Sequence, residues 1–359
     1  MKFKVRYAFG LIGALFMSSQ SIASAQVEGK FVNSEINYQT GLGAMLDMSL
    51  AYLTAKRDSP EPTTPVPLAM IDLVELDKRK DAVIYRLGHS TMFMKIDGEY
   101  ILLDPVFSER ASPFTFVGPK RFHQPPISIN NLPNISAVII SHDHYDHLDK
   151  DAVLKLDNKV ERFITPLKVG KTLVKWGINP SKITELDWWQ ETQLGSLTFT
   201  ATPGQHFSGR GLFDKDETLW AGWAIKGNQA NVFYTGDTGY FSGFKEIGER
   251  LGPFDLSMVE TGAYSKLWKD IHMHPSESMQ AHLDLKAKAM MPVHNGTFDL
   301  SLHDWYEPLE SIRALAQEQG VQLVTPIFGE AVSINAPQMT KAWWQDMVEQ
   351  ETLKVANQF

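Results

Sequence analysis

From Asp81 onward, apolar residues gather in short runs bounded by polar and turn-forming positions. The runs Ala82–Leu87 and Met92–Ile96 are followed by an Asp97-Gly98 turn into Tyr100–Leu103, which is a hairpin signal. Further strand-like runs lie at Ala137–Ile140, Arg162–Ile164, Leu197–Thr200, Ala221–Ile225, Val232–Tyr234, Leu256–Val259 and Met290–Val293. Between them, apolar residues at helical spacing predict helices over Leu167–Trp176, Phe244–Leu251, Ser276–Lys288 and Trp305–Gln319. Strands interspersed with helices predict a layered α/β (α+β) architecture for residues 81–335.

The flanks follow other patterns. Residues 26–80 form an N-terminal extension, with helical spacing at Leu42, Met45, Leu46, Leu50 and Leu53 and then a Pro-rich linker around Ser59-Pro60-Glu61-Pro62, Pro65 and Pro67. Residues 336–359 read as a C-terminal helical tail that packs back through Trp343 and Trp344. At the start, Lys2, Lys4 and Arg6 precede the apolar stretch Ala8–Met17 and the small-residue site Ala23-Ser24-Ala25. This is the pattern of a secretory signal peptide over residues 1–25, cleaved near Ala25/Gln26. Its apolar stretch is shorter than the roughly 20 residues that span a bilayer. The expectation is an exported, periplasmic protein.

Composition narrows the chemistry. The 359 residues contain no cysteine, so disulfides and cysteine-linked lipid are excluded. The formal charge is -8 at pH 7, and loss of the three basic residues of the leader makes it more negative still. Such a balance disfavours nucleic acid as a partner.

Against that background, residues 141–149 read SHDHYDHLD directly after an apolar run. Buried without counter-charge, so many imidazoles and carboxylates would be costly, and a cation among them is implied. His206, Asp237 and His294 each sit just past the carboxyl end of another strand-like run, the edge where ligands converge in α/β sheets. With His142, His144, Asp146 and His147 they make seven nitrogen and oxygen donors, which suit two metals better than one closed site. The set admits zinc, iron or manganese, with zinc the default for so many histidines. Asp149 reads as a helix cap.

Several stretches point further: Leu87-Gly88-His89-Ser90, Asp104 to Pro113, Gly118 to Phe122, Ser141 to Asp149, Glu185 to Trp189, Gly236 to Tyr240 and His294 to Phe298. Over about residues 81–330 the chain resembles the N-acylphosphatidylethanolamine-hydrolysing phospholipase D family of the metallo-β-lactamase fold. The resemblance implies an αβ/βα sandwich of two mixed β-sheets flanked by helices. It also implies two Zn2+ ions and cleavage of a phospholipid to phosphatidic acid and an N-acylethanolamine. Carried over, His142, His144 and His206 hold one zinc, Asp146, His147 and His294 the other, and Asp237 bridges them. Asp146, Asp237 and His272 are the implied catalytic residues, with His272 beside the substrate. The chain departs from the family pattern at Glu260 to Trp268, where an acid is gained and an arginine lost, and at Asn295, which replaces a tryptophan.

Other residues carry open readings. His89 reads as a residue that orients ligands, while His123, His274, His282 and His303 read as loop or helix-surface residues. Glu260 either accepts a hydrogen bond from a metal-bound histidine or contacts substrate. The aromatic stretch Ala111–Phe122 reads as a covered loop packed on the core, with a membrane-interface loop or acyl-channel wall as its alternative use. A phospholipid or other small phosphodiester is the expected partner, with peripheral membrane contact; the oligomeric state is open, and a homodimer is compatible. Competing functions are a zinc lactonase or related carbonyl hydrolase and a non-catalytic periplasmic metal- or lipid-binding protein.

Overall fold

The alternating apolar runs become two seven-stranded sheets. In the computed structural model, which describes residues 23–38, 43, 47, 50–52 and 54–356, β1 (Ala25–Val27) and β2 (Lys30–Val32) pair as an N-terminal hairpin. The expected leader up to residue 22 and the positions Leu42, Met45, Leu46 and Leu53 of the expected helix lie outside the described residues. The first sheet contains β3 (Val83–Arg86), β4 (Met92–Ile96), β5 (Glu99–Leu103), β6 (Ile135–Ile139), β7 (Val160–Pro166) and β8 (Ile183–Leu186). The second contains β9 (Glu191–Leu194), β10 (Leu197–Thr202), β11 (Gly222–Lys226), β12 (Asn231–Tyr234), β13 (Phe254–Glu260), β14 (Ala287–Val293) and β15 (Gln322–Leu323). The last strand, β16 (Ala331–Ser333), returns to the first sheet.

Strand orders are β16-β3-β4-β5-β6-β7-β8 and β15-β14-β13-β12-β11-β10-β9. Each sheet is antiparallel on one side and parallel on the other, changing at β5 in the first and β12 in the second. Within the two large sheets, the four strands that the hydrophobic pattern does not predict, β8, β9, β15 and β16, are the four edges. An edge strand pairs on one side only and is kept short and polar, so it lacks the apolar signature of a central strand.

Strand alternation sorts the core into layers. Ala137 and Ile139 of β6 face inward with Val232 and Tyr234 of β12 and Leu256 and Met258 of β13. Val138 and Ile140 face outward onto α1 (Leu73–Lys78), α2 (Lys150–Leu156) and α3 (Val169–Trp176). On the opposite side Phe233, Phe254 and Val259 pack under α4 (Gly243–Arg250), α5 (Pro275–Asp284) and α6 (Glu307–Gln319). This is the αβ/βα sandwich expected from the sequence.

Both flanking segments are fastened to it. Along the Pro-rich residues 59–67, Ser59 N–H donates to Asp304 (2.8 Å) and Val66 is buried. Val66 joins Trp305, Leu309, Phe328 and, from α7 (Trp343–Ala356), Trp343, Trp344 and Met347 in a separate aromatic cluster. Glu351 of α7 accepts from Thr63 N–H (2.6 Å) and Ser59 Oγ (3.0 Å), so the Pro-rich segment and the last helix clasp each other.

Two histidines expected at the surface are buried instead. His123 is stacked on Phe328 at 3.8 Å between centroids, with Nε2 3.0 Å from Thr297 Oγ1. His282 lies on the inner side of α5, its Nδ1 2.8 Å from Ser257 Oγ. An imidazole with one local polar partner is neutral enough to enter a core, which residue type alone does not reveal. The aromatic loop also differs from its covered reading: Arg121 and Phe122 are anchored, but Phe114, Phe116 and Val117 are 54%, 78% and 51% exposed.

Burial pushes His282 down to about 4 from its ordinary 6.5. Its neutral form is therefore favoured in the native state, and the stability it gives is complete above pH 6.5 and lost as pH falls towards 4. Urea midpoints measured across that interval should fall by the equivalent of up to about 3 kcal/mol from this residue alone. The His282→Gln variant should show a flatter pH dependence; an unchanged slope would remove His282 as its source.

Candidate metal centre

The donor-rich loop begins where β6 ends. Ser141 N–H donates to Asp104 Oδ1 (2.7 Å), and the turn closes with Leu148 N–H donating to His144 O (2.8 Å). Asp149 caps α2 by accepting from Asp151 and Ala152 N–H, as expected, and its other oxygen accepts from Phe107 and Ser108 N–H. Within the motif, roles alternate. His142 and His144 point into the cluster, while Asp143 accepts from Gly209 N–H (2.8 Å) and Thr218 Oγ1 (2.9 Å), tying the motif to the loop after His206.

The other donors arrive from neighbouring strand ends. His206 follows β10, Asp237 follows β12 and His294 follows β14. Gly236 stands at φ +59 with Ser141 Cβ 2.9 Å from where its own Cβ would be, so only glycine lets Asp237 approach the motif this closely. His294 is in the left-handed region at φ +64, a backbone cost typical of functional positions.

All seven sequence-predicted donors converge. Asp237 Oδ2 lies 3.0 Å from His294 Nε2, 3.1 Å from His147 Nε2, and 3.9 Å from the Nε2 atoms of both His142 and His206. On one side of it, His144 Nδ1 lies 2.9 Å from His142 Nε2 and 3.3 Å from His206 Nε2. On the other, Asp146 Oδ2 is 3.2 Å from His294 Nε2 and 3.5 Å from His147 Nε2. The donors form one group of His142, His144 and His206 and another of Asp146, His147, His294 and His89, with Asp237 between them.

The chemistry of this set fits cations. Nitrogens bonded tetrahedrally to zinc at about 2.0–2.1 Å are separated by about 3.4 Å, close to the spacings in the three-histidine group. Asp237 Oδ1 and His147 Nε2 are buried without a hydrogen-bond partner. Burial pushes His142, His144 and His206 below the ordinary histidine range, leaving their lone pairs free. In His294 burial is outweighed by Asp237 and Asp146, which lift it to about 10; His147 is likewise raised. Asp146 and Asp237 are held well below the carboxylate range, against the push of burial, chiefly by His147. His147 and His294 thus carry the positive charge that balances Asp146 and Asp237, the place a bound cation would take.

Three residues gain definition from the geometry. Asp104, which the sequence analysis includes in a motif but gives no role, accepts from Ser141 N–H, Ser141 Oγ (2.5 Å), His147 Nδ1 (2.7 Å) and Tyr234 OH (2.6 Å). An aspartate ending a buried strand was the available signal. His89 lies with its Nε2 3.2 Å from Asp146 Oδ2, and its carbonyl accepts from His294 N–H, which extends the orienting role expected of it. Glu260 is fully buried and accepts from His272 Nδ1 (2.7 Å), so its partner is neither a histidine of the two donor groups nor the open cavity. Burial raises its carboxyl against the pull of His272.

Above the donors opens a cavity of about 230 Å³. Its floor includes His144, Asp146, Asp237, His272 and His294, and Tyr38, Tyr52, Phe207 and Trp268 are among its walls. A sandwich whose strand ends gather seven His and Asp donors, five of them buried, defines a metal-dependent hydrolase. The sequence pattern of the beta-lactamase superfamily domain matches residues 99–295, and the chain belongs to the metallo-β-lactamase superfamily. It is 43% identical over 297 residues to an uncharacterized protein of Mycobacterium tuberculosis, covering 82% of this chain and 79% of that one. It is 37% identical over 243 residues to N-acyl-phosphatidylethanolamine-hydrolyzing phospholipase D 1 of Caenorhabditis elegans, covering 64% of this chain and 68% of the relative. Among solved structures, an isothiocyanate hydrolase from Delia radicum gut bacteria shares the fold, with a TM-score of 0.57 and 20% identity over 72% of this chain and all of that one.

Asp104→Asn exchanges an acceptor-only group for one that turns an N–H toward His147 or Tyr234. Competition with a chelator should show the affinity of the His147-side ion lowered about 10- to 100-fold, with the three-histidine side less affected. Equal affinities in variant and wild type would deny Asp104 this orienting role.

Proposed function

We propose that the protein is a binuclear zinc phosphodiesterase of the phospholipase D type, acting on N-acylphosphatidylethanolamine or a closely related phospholipid. The observation that carries this reading is the apolar cavity opening directly onto a two-group donor set, a shape that suits a substrate with a phosphate at one end and hydrocarbon beside it. The similarity to the nematode phospholipase supports it. The N-terminal leader, read as an export signal, supports action outside the cytoplasm.

Zinc ions bound by the two donor groups supply Lewis acidity, acidifying water and neutralising phosphoryl oxygens. The chain does the rest. Asp146, on the cavity floor, orients the attacking oxygen. Asp237 keeps the two groups in register. His272, held at Nδ1 by Glu260, turns Nε2 toward the oxygen of the departing alcohol and supplies its proton. Tyr38, Phe207 and Trp268 screen the reacting atoms from bulk water.

Lipid would reach this cavity from an aggregated surface. Among the described residues no helix is long and apolar enough to cross a membrane. The exposed Phe114 and Phe116 and the tip residues Leu212 and Phe213, 89% and 88% exposed, stand on two loops, one bonded to Asp149 through Ser108 and the other to Leu148 O through Arg210. They form the face that meets lipid.

Purified protein offered N-acylphosphatidylethanolamine, simple phosphodiesters and acyl-homoserine lactones should cleave the phosphodiesters, lose activity with chelator and regain it with zinc. Turnover confined to lactones would overturn the proposal. His272→Ala should lower kcat on the phospholipid about 100-fold or more while retaining its metal, measured by elemental analysis.

A further inference from the structure

The cavity above the donors is completed from outside the superfamily match. Tyr38 and Tyr52, two of its walls, come before residue 99, where that match begins. The segment carrying Tyr38 is bound to the metal centre itself. His206 N–H donates to Asn33 Oδ1 (2.9 Å), and Asn33 Nδ2 donates back to His206 O (2.8 Å). The neighbouring Gln205 side chain bonds the backbone of Ile36, and Lys215 Nζ donates to Tyr38 O (3.2 Å). Phe31 anchors the start of the segment in the core between the sheets, 1% exposed, and Glu35 accepts from Ser242 N–H (2.9 Å). At the other end, the Tyr52 ring stacks on Trp268 at 6.1 Å and its hydroxyl donates to Leu300 O (2.9 Å).

A two-point bond to the main chain of a donor residue has a specific effect. It couples the position of Tyr38 to that of His206, so the strap sets one side of the gap above the reacting centre and the sandwich, through Phe207 and Trp268, the other. Tyr38 also faces Phe207, the residue after that donor, with centroids 5.8 Å apart. The gap is bounded by Tyr38, Phe207, Tyr52 and Trp268, ring faces that fit a flexible hydrocarbon chain and offer no formal charge to a polar head group.

We propose that the strap Phe31–Tyr38, together with Tyr52, is the selectivity element of the site: it receives the hydrocarbon chain of the departing N-acyl amide and thereby determines which phosphodiesters are turned over. Asn33 is its positioning residue and touches no substrate. The proposal rests on the phosphodiesterase reading for the identity of the reaction, but the binding it describes can be read without turnover.

The test uses the full-length protein and its Asn33→Ala and Tyr38→Ala variants, zinc-loaded for turnover and metal-free for binding. Values of kcat/KM are measured for N-acylphosphatidylethanolamines of increasing N-acyl length, and the affinity of the matching N-acylethanolamines is measured by calorimetry on metal-free protein. In the wild type each added methylene should improve both quantities by up to about fourfold until the cavity is filled. In both variants the gain should shrink to less than about twofold per methylene, and Asn33→Ala should show it although Asn33 does not line the cavity. If Asn33→Ala fails to fold, Tyr38→Ala alone decides. Wild-type length dependence preserved in Tyr38→Ala would overturn the proposal. A wild type that cleaves no phosphodiester, yet binds the amides with a length dependence that the variants lose, would remove the phosphodiesterase reading and leave the strap in place.

Discussion

The structure depends on balancing charge inside a dry interior. Five imidazoles and two carboxylates meet at the strand ends, and their burial is tolerable only because each finds a countercharge, a cation or an oriented acceptor. Asp237 stands between the two donor groups. Asp104 supports the arrangement from below, holding the start of the motif through Ser141, the far imidazole through Nδ1 and the neighbouring sheet through Tyr234. Because β6 and β12 belong to different sheets, that one carboxylate also links the two halves of the sandwich beneath the reacting centre.

Much of this was legible in the chain. The central strands announce themselves because both faces are buried, one against the facing sheet and one against helices, as in β6, where Ala137 and Ile139 turn inward and Val138 outward. The edges do not, since Glu191–Leu194 and Ala331–Ser333 pair on one side and remain partly in water. The donors were legible for a related reason: histidines and aspartates directly after apolar runs have to lie at strand ends, and strand ends on one edge converge.

What was not legible depends on long-range geometry. Nothing in the local sequence distinguishes His282, buried against Ser257, from a surface helix position. Nor does it show that Glu260 turns to His272, or that Asn33 reaches a residue far along the chain. These pairings follow from the crossing of elements, and the residue types involved are equally at home in water.

The clasp between residues 59–66 and α7 carries a consequence for how the molecule folds. Ser59 and Thr63 take their partner from Glu351, and Val66 is sheltered by Trp343 and Trp344 of the last helix. Those partners stand 292 and 288 residues apart in sequence, and the sandwich must bring them together before they can meet. Docking of residues 59–66 against α7 is therefore a late, long-range event of folding, while residues 31–38 are held separately by His206 and the core between the sheets.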